Sequence, residues 1–194
     1  MNSKFLNKLD EIKNDPNFAT KKNELIKDDI LRYSPNKLSF WLCMLSIVAN
    51  IAMFIIIYTE KNCTSNWQLG IDLLVNVIFL LACFLLSEKT KAYRVDSAKA
   101  CFVIAGIQIL RIFWIPLFYY SKHLEYLDAV KTASETGTDL AYSGIVGLSG
   151  GQFTACIVLF IISACALVGA GVVCTVKAKR LNAHIKELEK VGDK

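Results

Sequence analysis

No Gly-Lys dipeptide occurs in the sequence, so there is no G-x-x-x-x-G-K-[ST] loop to cradle a nucleotide's phosphates. No C-x-x-C pair occurs among the seven cysteines, which removes zinc ribbons and disulfide-relay motifs. There are only two histidines, His123 and His184, and both lie in charged segments. Bis-histidine haem ligation and a zinc-protease site within an apolar helix are thereby excluded, and no Ser/His/Asp set suggests itself. Internal repeats and low-complexity segments are also lacking. The chain is expected not to be an enzyme and to carry no cofactor and no metal.

Apolar residues are what the sequence has in quantity. They make up 54% of 194 residues, and nearly all of the 22 Lys+Arg and 17 Asp+Glu are pushed to the two ends and three connections. Between them run four apolar stretches, at 38–58, 70–87, 100–120 and 152–176. At about 1.5 Å per residue each can cross a hydrocarbon layer of about 30 Å, the second only just and the fourth with tilt. A soluble bundle would interrupt runs such as AMFIIIY and ACIVLFIISACALVGAGVV with polar residues. The expected fold is therefore all-α: a polytopic membrane protein with four transmembrane helices, preceded by a segment (1–37) too polar for a cleavable signal.

Basic residues set the orientation. Residues 1–37, the connection 88–99 and the tail 177–194 hold eighteen Lys and Arg, whereas the connections 59–69 and 121–151 hold Lys61, Lys122 and Lys131. Strict alternation puts both termini in the cytoplasm and 59–69 and 121–151 outside. The net charge of +5 is then a topology signal and not a nucleic-acid footprint. The Lys, Ile and Asn bias suggests an AT-rich, bacterial source, hence a bacterial plasma membrane. The Asn62-Cys63-Thr64 acceptor is accordingly read as unglycosylated.

Both ends carry amphipathic helical extensions. Phe5, Leu9 and Ile12 share a face, Asp15-Pro16 breaks it, and Leu25, Ile26 and Ile30 form a second stripe. The tail continues the fourth helix with Leu181, Ile185 and Leu188 on one side. In 121–151, Leu124, Leu127 and Val130 suggest a short helix lying along the outer surface. The LSGGQ string at 148–152 resembles the signature of the ATP-binding-cassette ATPases. Without a phosphate loop, and outside the cell, it is read as a flexible turn into the fourth span, so no ATP binding is expected.

The informative residues are the polar ones inside the apolar stretches. Arg111 sits mid-span, where an arginine costs roughly 3 kcal/mol on insertion scales and must face protein, water or an interface. Asp72 is the one acidic residue within a span, near Arg111 in height on the antiparallel neighbour. Asn50, Asn76, Gln108 and Ser163 fall at the same level, so each helix offers a polar group to one layer. That layer either locks helix register through internal hydrogen bonds or lines a path. On the fourth span, Ala166, Gly169 and Ala170 form a small-residue face suited to close helix packing, within the bundle or between chains. Pro116 should bend the outer part of the third span.

These features suggest a non-enzymatic accessory or structural subunit of a larger integral membrane complex, such as a transporter. Its partners would be the lipid bilayer and other integral membrane subunits or copies of itself. The alternative is a small homo-oligomeric channel or transporter using the polar layer.

Overall fold

The computed structural model describes residues 3–13, 15–58, 67–139, 142 and 144–192, and all regular structure among them is helical. Six helices follow in order: α1 (Ser3–Glu11), α2 (Phe18–Tyr33), α3 (Lys37–Tyr58), α4 (Trp67–Thr90), α5 (Val95–Thr136) and α6 (Gly150–Gly192). The stretches Lys37–Tyr58, Gly70–Thr90, Val95–Thr136 and Gly150–Lys190 are long and apolar enough to cross a membrane. Lys61 and the Asn62-Cys63-Thr64 acceptor lie outside the described residues.

Spacing explains how these four helices meet. The buried positions of α3 include Ser39, Cys43, Ser46, Asn50, Met53 and Ile57. Those of α4 include Asp72, Asn76, Phe79, Cys83, Leu86 and Thr90. Steps of three and four alternate in both, which holds one seam toward the neighbours over several turns. The opposite face of α4 is just as apolar, with Leu74, Ile78, Leu81 and Leu85 each more than half exposed. Small and polar residues, rather than hydrophobicity, therefore mark the seam.

Helix α6 is the axis of the bundle. It packs most extensively on α5 and α3, while α4 packs on α3 and only lightly on α5. The small-residue face is used within the chain: Ala166 and Ala170 are buried, and Leu42 of α3 lies against Gly169. Ser39 Oγ donates to the Ala170 carbonyl at 3.1 Å, a bond that a larger side chain at this crossing would prevent.

At the end of the bundle that carries both termini, α1 and α2 cover the α6 tail. Phe5, Leu25 and Leu188 are buried there, Lys8 pairs with Glu187 and Arg180 with Asp28, and His184 Nε2 lies 3.7 Å from Asp29 Oδ1. The expected α2 stripe holds only in part, since Leu25 is buried but Ile30 is 57% exposed. Charge pairs supply the rest of that contact. Lys8 holds the Glu187 carboxyl below its ordinary value. Lys21, with the Asn17 backbone N–H, does the same for Asp15 in the α1–α2 turn. Asn36 ties the junctions together, its N–H donating to the Lys91 carbonyl and its Oδ1 accepting from Lys177.

The other end departs from expectation. Residues 121–136 are no separate surface helix: α5 runs unbroken through Pro116 to Thr136, ending where Gly137 adopts φ +65°. The chain then folds back along one side of α5. Leu148 N–H donates to the Tyr119 carbonyl at 3.1 Å, His123 Nδ1 meets the Val146 carbonyl at 3.0 Å, and Tyr120 stacks on Phe153. Gly147 makes the approach possible. Its φ is +72°, and a Cβ there would lie 2.1 Å from the Tyr119 carbonyl oxygen.

Candidate functional site

Five of the six polar residues singled out from sequence meet at one level of the bundle. Asn50 is 2% exposed, Asn76 2%, Gln108 0%, Arg111 6% and Ser163 0%. Arg111 is the hub. Its Nη1 donates to Asn50 Oδ1 at 3.3 Å and to Gln108 Oε1 at 3.0 Å, and its Nη2 donates to Asn76 Oδ1. Gln108 Nε2 also donates to Asn50 Oδ1, at 2.9 Å. Asn50 Nδ2 donates in turn to Ser163 Oγ and the Ser46 carbonyl, both at 2.8 Å. One continuous network thus joins α3, α4, α5 and α6.

Two aromatic rings complete the seat of the guanidinium. Its carbon lies 4.3 Å from the Phe79 ring centroid and 5.6 Å from that of Phe160. Ring faces carry negative potential, so they attract the cation where water is excluded. Sequence reasoning missed Phe79 and Phe160 because every span is rich in Phe. It also missed Ser46, which shares a 2.7 Å hydroxyl contact with Ser163, and Tyr58, whose hydroxyl accepts from Asn76 Nδ2 at 3.3 Å. A signal for Ser46 was present, four residues before Asn50 on the same face.

Asp72 stands apart from this network. It is 1% exposed, near the Tyr119 hydroxyl and the Trp114 indole, and makes no direct ion pair with Arg111. Among the described residues its Oδ2 has no hydrogen-bond partner, and neither does Arg111 Nε. Both residues line a cavity of about 210 Å³ between α4 and α5, with Val75, Ile107, Leu110, Trp114 and Ile115. Leu110 and Trp114 are 69% and 62% exposed, so the cavity opens on the apolar flank of the bundle and not at either end.

The LSGGQ residues serve packing and capping. Leu148 is buried in a cluster with Tyr119, Ile145 and Phe160. Ser149 precedes α6, and Gln152 Oε1 accepts from both its N–H and its Oγ, half of a capping box. Gly147, Ser149 and Gly151 also spell G-x-S-x-G. A nucleophile elbow needs a strand feeding a helix, and the described residues contain no strand.

Cys43, Cys83 and Cys101 lie in the apolar core between the polar layer and the terminal end, one on each of three helices. Among the described residues no three His, Cys, Asp or Glu side chains are grouped to hold a metal ion. Compared with protein-family models, curated proteins and solved structures, the chain gives no significant match to any.

Proposed function

We propose that this chain is a non-enzymatic subunit of a larger integral membrane complex, with both termini in the cytoplasm of a bacterial cell. The observation that carries the reading is the exposed apolar stripe at the distal end of α5. Leu124 and Leu127 are 46% and 47% exposed, and Val130 36%. The returning loop contacts the helix at Tyr119, Tyr120, His123 and Tyr126 and leaves these three side chains uncovered. At about 1.5 Å per residue, α5 is about 63 Å long, some 20 Å more than a bilayer with its headgroups. Its last four turns therefore stand clear of the apolar layer, where a leucine stripe calls for a protein partner.

Two further features support this reading over a channel. The polar groups of the layer bond to one another within the chain, which suits a register lock. The small-residue face and the buried side of the terminal extensions are also occupied within the chain, whereas the α5 stripe is uncovered.

Purification from the native membrane in gentle detergent, with mass spectrometry of what co-migrates, tests the proposal. Stoichiometric integral membrane companions are expected. A clean homo-oligomer that conducts ions or solutes in liposomes would replace this reading with the channel.

A further inference from the structure

Helices α4 and α5 pack only lightly on each other, and two cavities mark the furrow between them. One, of about 270 Å³, lies at the turn that joins them and is lined by Lys89, Ala92, Arg94, Asp96, Ser97 and Ala100. Ser97 is buried and donates to the Lys89 carbonyl at 3.1 Å, which ties the two helix ends together. Lys89, Arg94 and Asp96 are exposed, and none of them forms an ion pair among the described residues. Two cations and a carboxylate thus line one cavity without neutralising one another. The other cavity is the apolar one of about 210 Å³, walled by Val75, Ile107, Leu110 and Trp114. Helical spacing aligns the two. Ala100, Ile107 and Trp114 recur every seven residues along α5, and Val75 and Lys89 stand fourteen apart on α4, so each helix turns one side to both cavities. Leu85 and Ile78 of α4 and Val103 of α5 lie between them on these sides, each more than half exposed. Leu110 stands ten residues beyond Ala100, about 15 Å along the helix, which equals half of a hydrocarbon layer of about 30 Å.

We propose that this furrow binds one phospholipid whose headgroup carries a primary ammonium beside its phosphate. The phosphate takes charge-assisted hydrogen bonds from Lys89 and Arg94, and the ammonium donates to Asp96. An acyl chain follows Leu85 and Val103 and ends in the apolar cavity, at the depth where one leaflet meets the other. A choline headgroup has no N–H to give Asp96, and a headgroup without a cation sets its own negative charge against that carboxylate, so both are held less well. The inference rests on the four helices crossing a bilayer and not on a companion at the distal end of α5.

Trp114 lines the apolar cavity and reports an acyl chain there, because bromine quenches indole emission on contact. In a Trp41→Phe, Trp67→Phe background, both sites being exposed, Trp114 emission is followed in phosphatidylcholine vesicles that contain rising fractions of one lipid brominated on its acyl chains. Brominated phosphatidylcholine, exchanging with the matrix, gives the unselective reference. Brominated phosphatidylethanolamine is expected to reach half of its full quenching at a mole fraction about fivefold below those of phosphatidylcholine and phosphatidylglycerol. Asp96→Asn should bring phosphatidylglycerol level with phosphatidylethanolamine. Lys89→Gln combined with Arg94→Gln should return every lipid to the reference curve, with helicity retained because these side chains are exposed.

Coincident curves for the three lipids in the wild type would reduce the furrow to an ordinary bilayer-facing flank and overturn the site. A preference for phosphatidylglycerol would overturn the ammonium assignment, and selectivity unchanged in the Lys89→Gln, Arg94→Gln variant would remove the headgroup cavity from the account. Water-soluble glycerophosphoethanolamine should not relieve the quenching; relief would mean that the headgroup alone is bound, against a lipid. Absence of quenching by any brominated lipid is a separate failure, since it contradicts the membrane reading on which the site rests.

Discussion

Arg111 donates to the side-chain oxygen of Asn50 at 3.3 Å, and so the charged centre of this bundle is seated on a neutral amide. Gln108 and Asn76 complete the cradle, while Asp72 faces the adjoining cavity without a direct ion pair. The arrangement differs from the simple Asp–Arg neutralisation that matching heights suggest. Carboxamide oxygens orient a guanidinium through directional bonds, and the rings of Phe79 and Phe160 lie against it.

Removing the hub should therefore cost more than removing the carboxylate. Arg111→Met strands the oxygens of Asn76 and Gln108, while Asn50 keeps its donor in Gln108 Nε2, and with about 1 kcal/mol or more for each unsatisfied acceptor, a loss of about 2 kcal/mol or more is expected. Arg111→Lys should recover less than half of it, because a compact ammonium cannot reproduce a planar fork across three oxygens. Asp72→Leu should destabilise less than either. Thermal unfolding in detergent measures all three, and an Asp72→Leu defect equal to that of Arg111→Met would mean that the two charges depend on each other directly.

Gly147→Ala should loosen the distal end. The substitution forces a positive φ on an alanine and drives its Cβ into the Tyr119 carbonyl. A cost of about 1–3 kcal/mol follows. Faster hydrogen exchange at Leu148 and across the first turn of α6 is the expected reading, with α1 and α2 unaffected.

Acid should release the terminal helices before the bundle. The folded Glu187 carboxyl lies below its ordinary value of 4.5 because Lys8 donates to it, and the Asp15 carboxyl lies below 3.8 through Lys21 and the Asn17 N–H. A depressed carboxylate stabilises the folded form fully above its ordinary pKa and loses that contribution as the pH falls through the folded value. Exchange in α1 should therefore accelerate between about pH 5 and pH 3, while α3 to α6 stay protected. Glu187→Gln should remove most of that pH dependence.

Ala170→Leu should separate α3 from α6. Ala170 is fully buried, and Ser39 Oγ reaches its carbonyl at 3.1 Å. Overpacking of this kind costs about 1–3 kcal/mol. The same change at exposed Val168, on the opposite side of α6, should be neutral in the same unfolding assay.

The sequence carried the number of long helices and the polar layer, because a charge or amide in an apolar run has few places to go. Asn50, Asn76, Gln108, Arg111 and Ser163 were legible by counting helical rise. The partners Phe79 and Phe160 were not, since in helices apolar on every side an inward phenylalanine looks like an outward one. The length of α5 was hidden for a different reason. Pro116 read as a bend and the polar run after Tyr120 as an ending, yet proline removes only one backbone donor, and the residues after it are good helix formers. The mutual cover of α1, α2 and the α6 tail was half legible: each stripe was visible, but the charge pairs Lys8–Glu187 and Arg180–Asp28 join residues more than 150 positions apart.

The most direct test of the partner reading is site-specific photo-crosslinking in native membranes, with a benzophenone side chain replacing Leu127. The account predicts one adduct of defined mass containing an integral membrane protein, and its loss when Leu124→Asp is added. Crosslinks to lipid alone, or to a second copy of this chain alone, would contradict it.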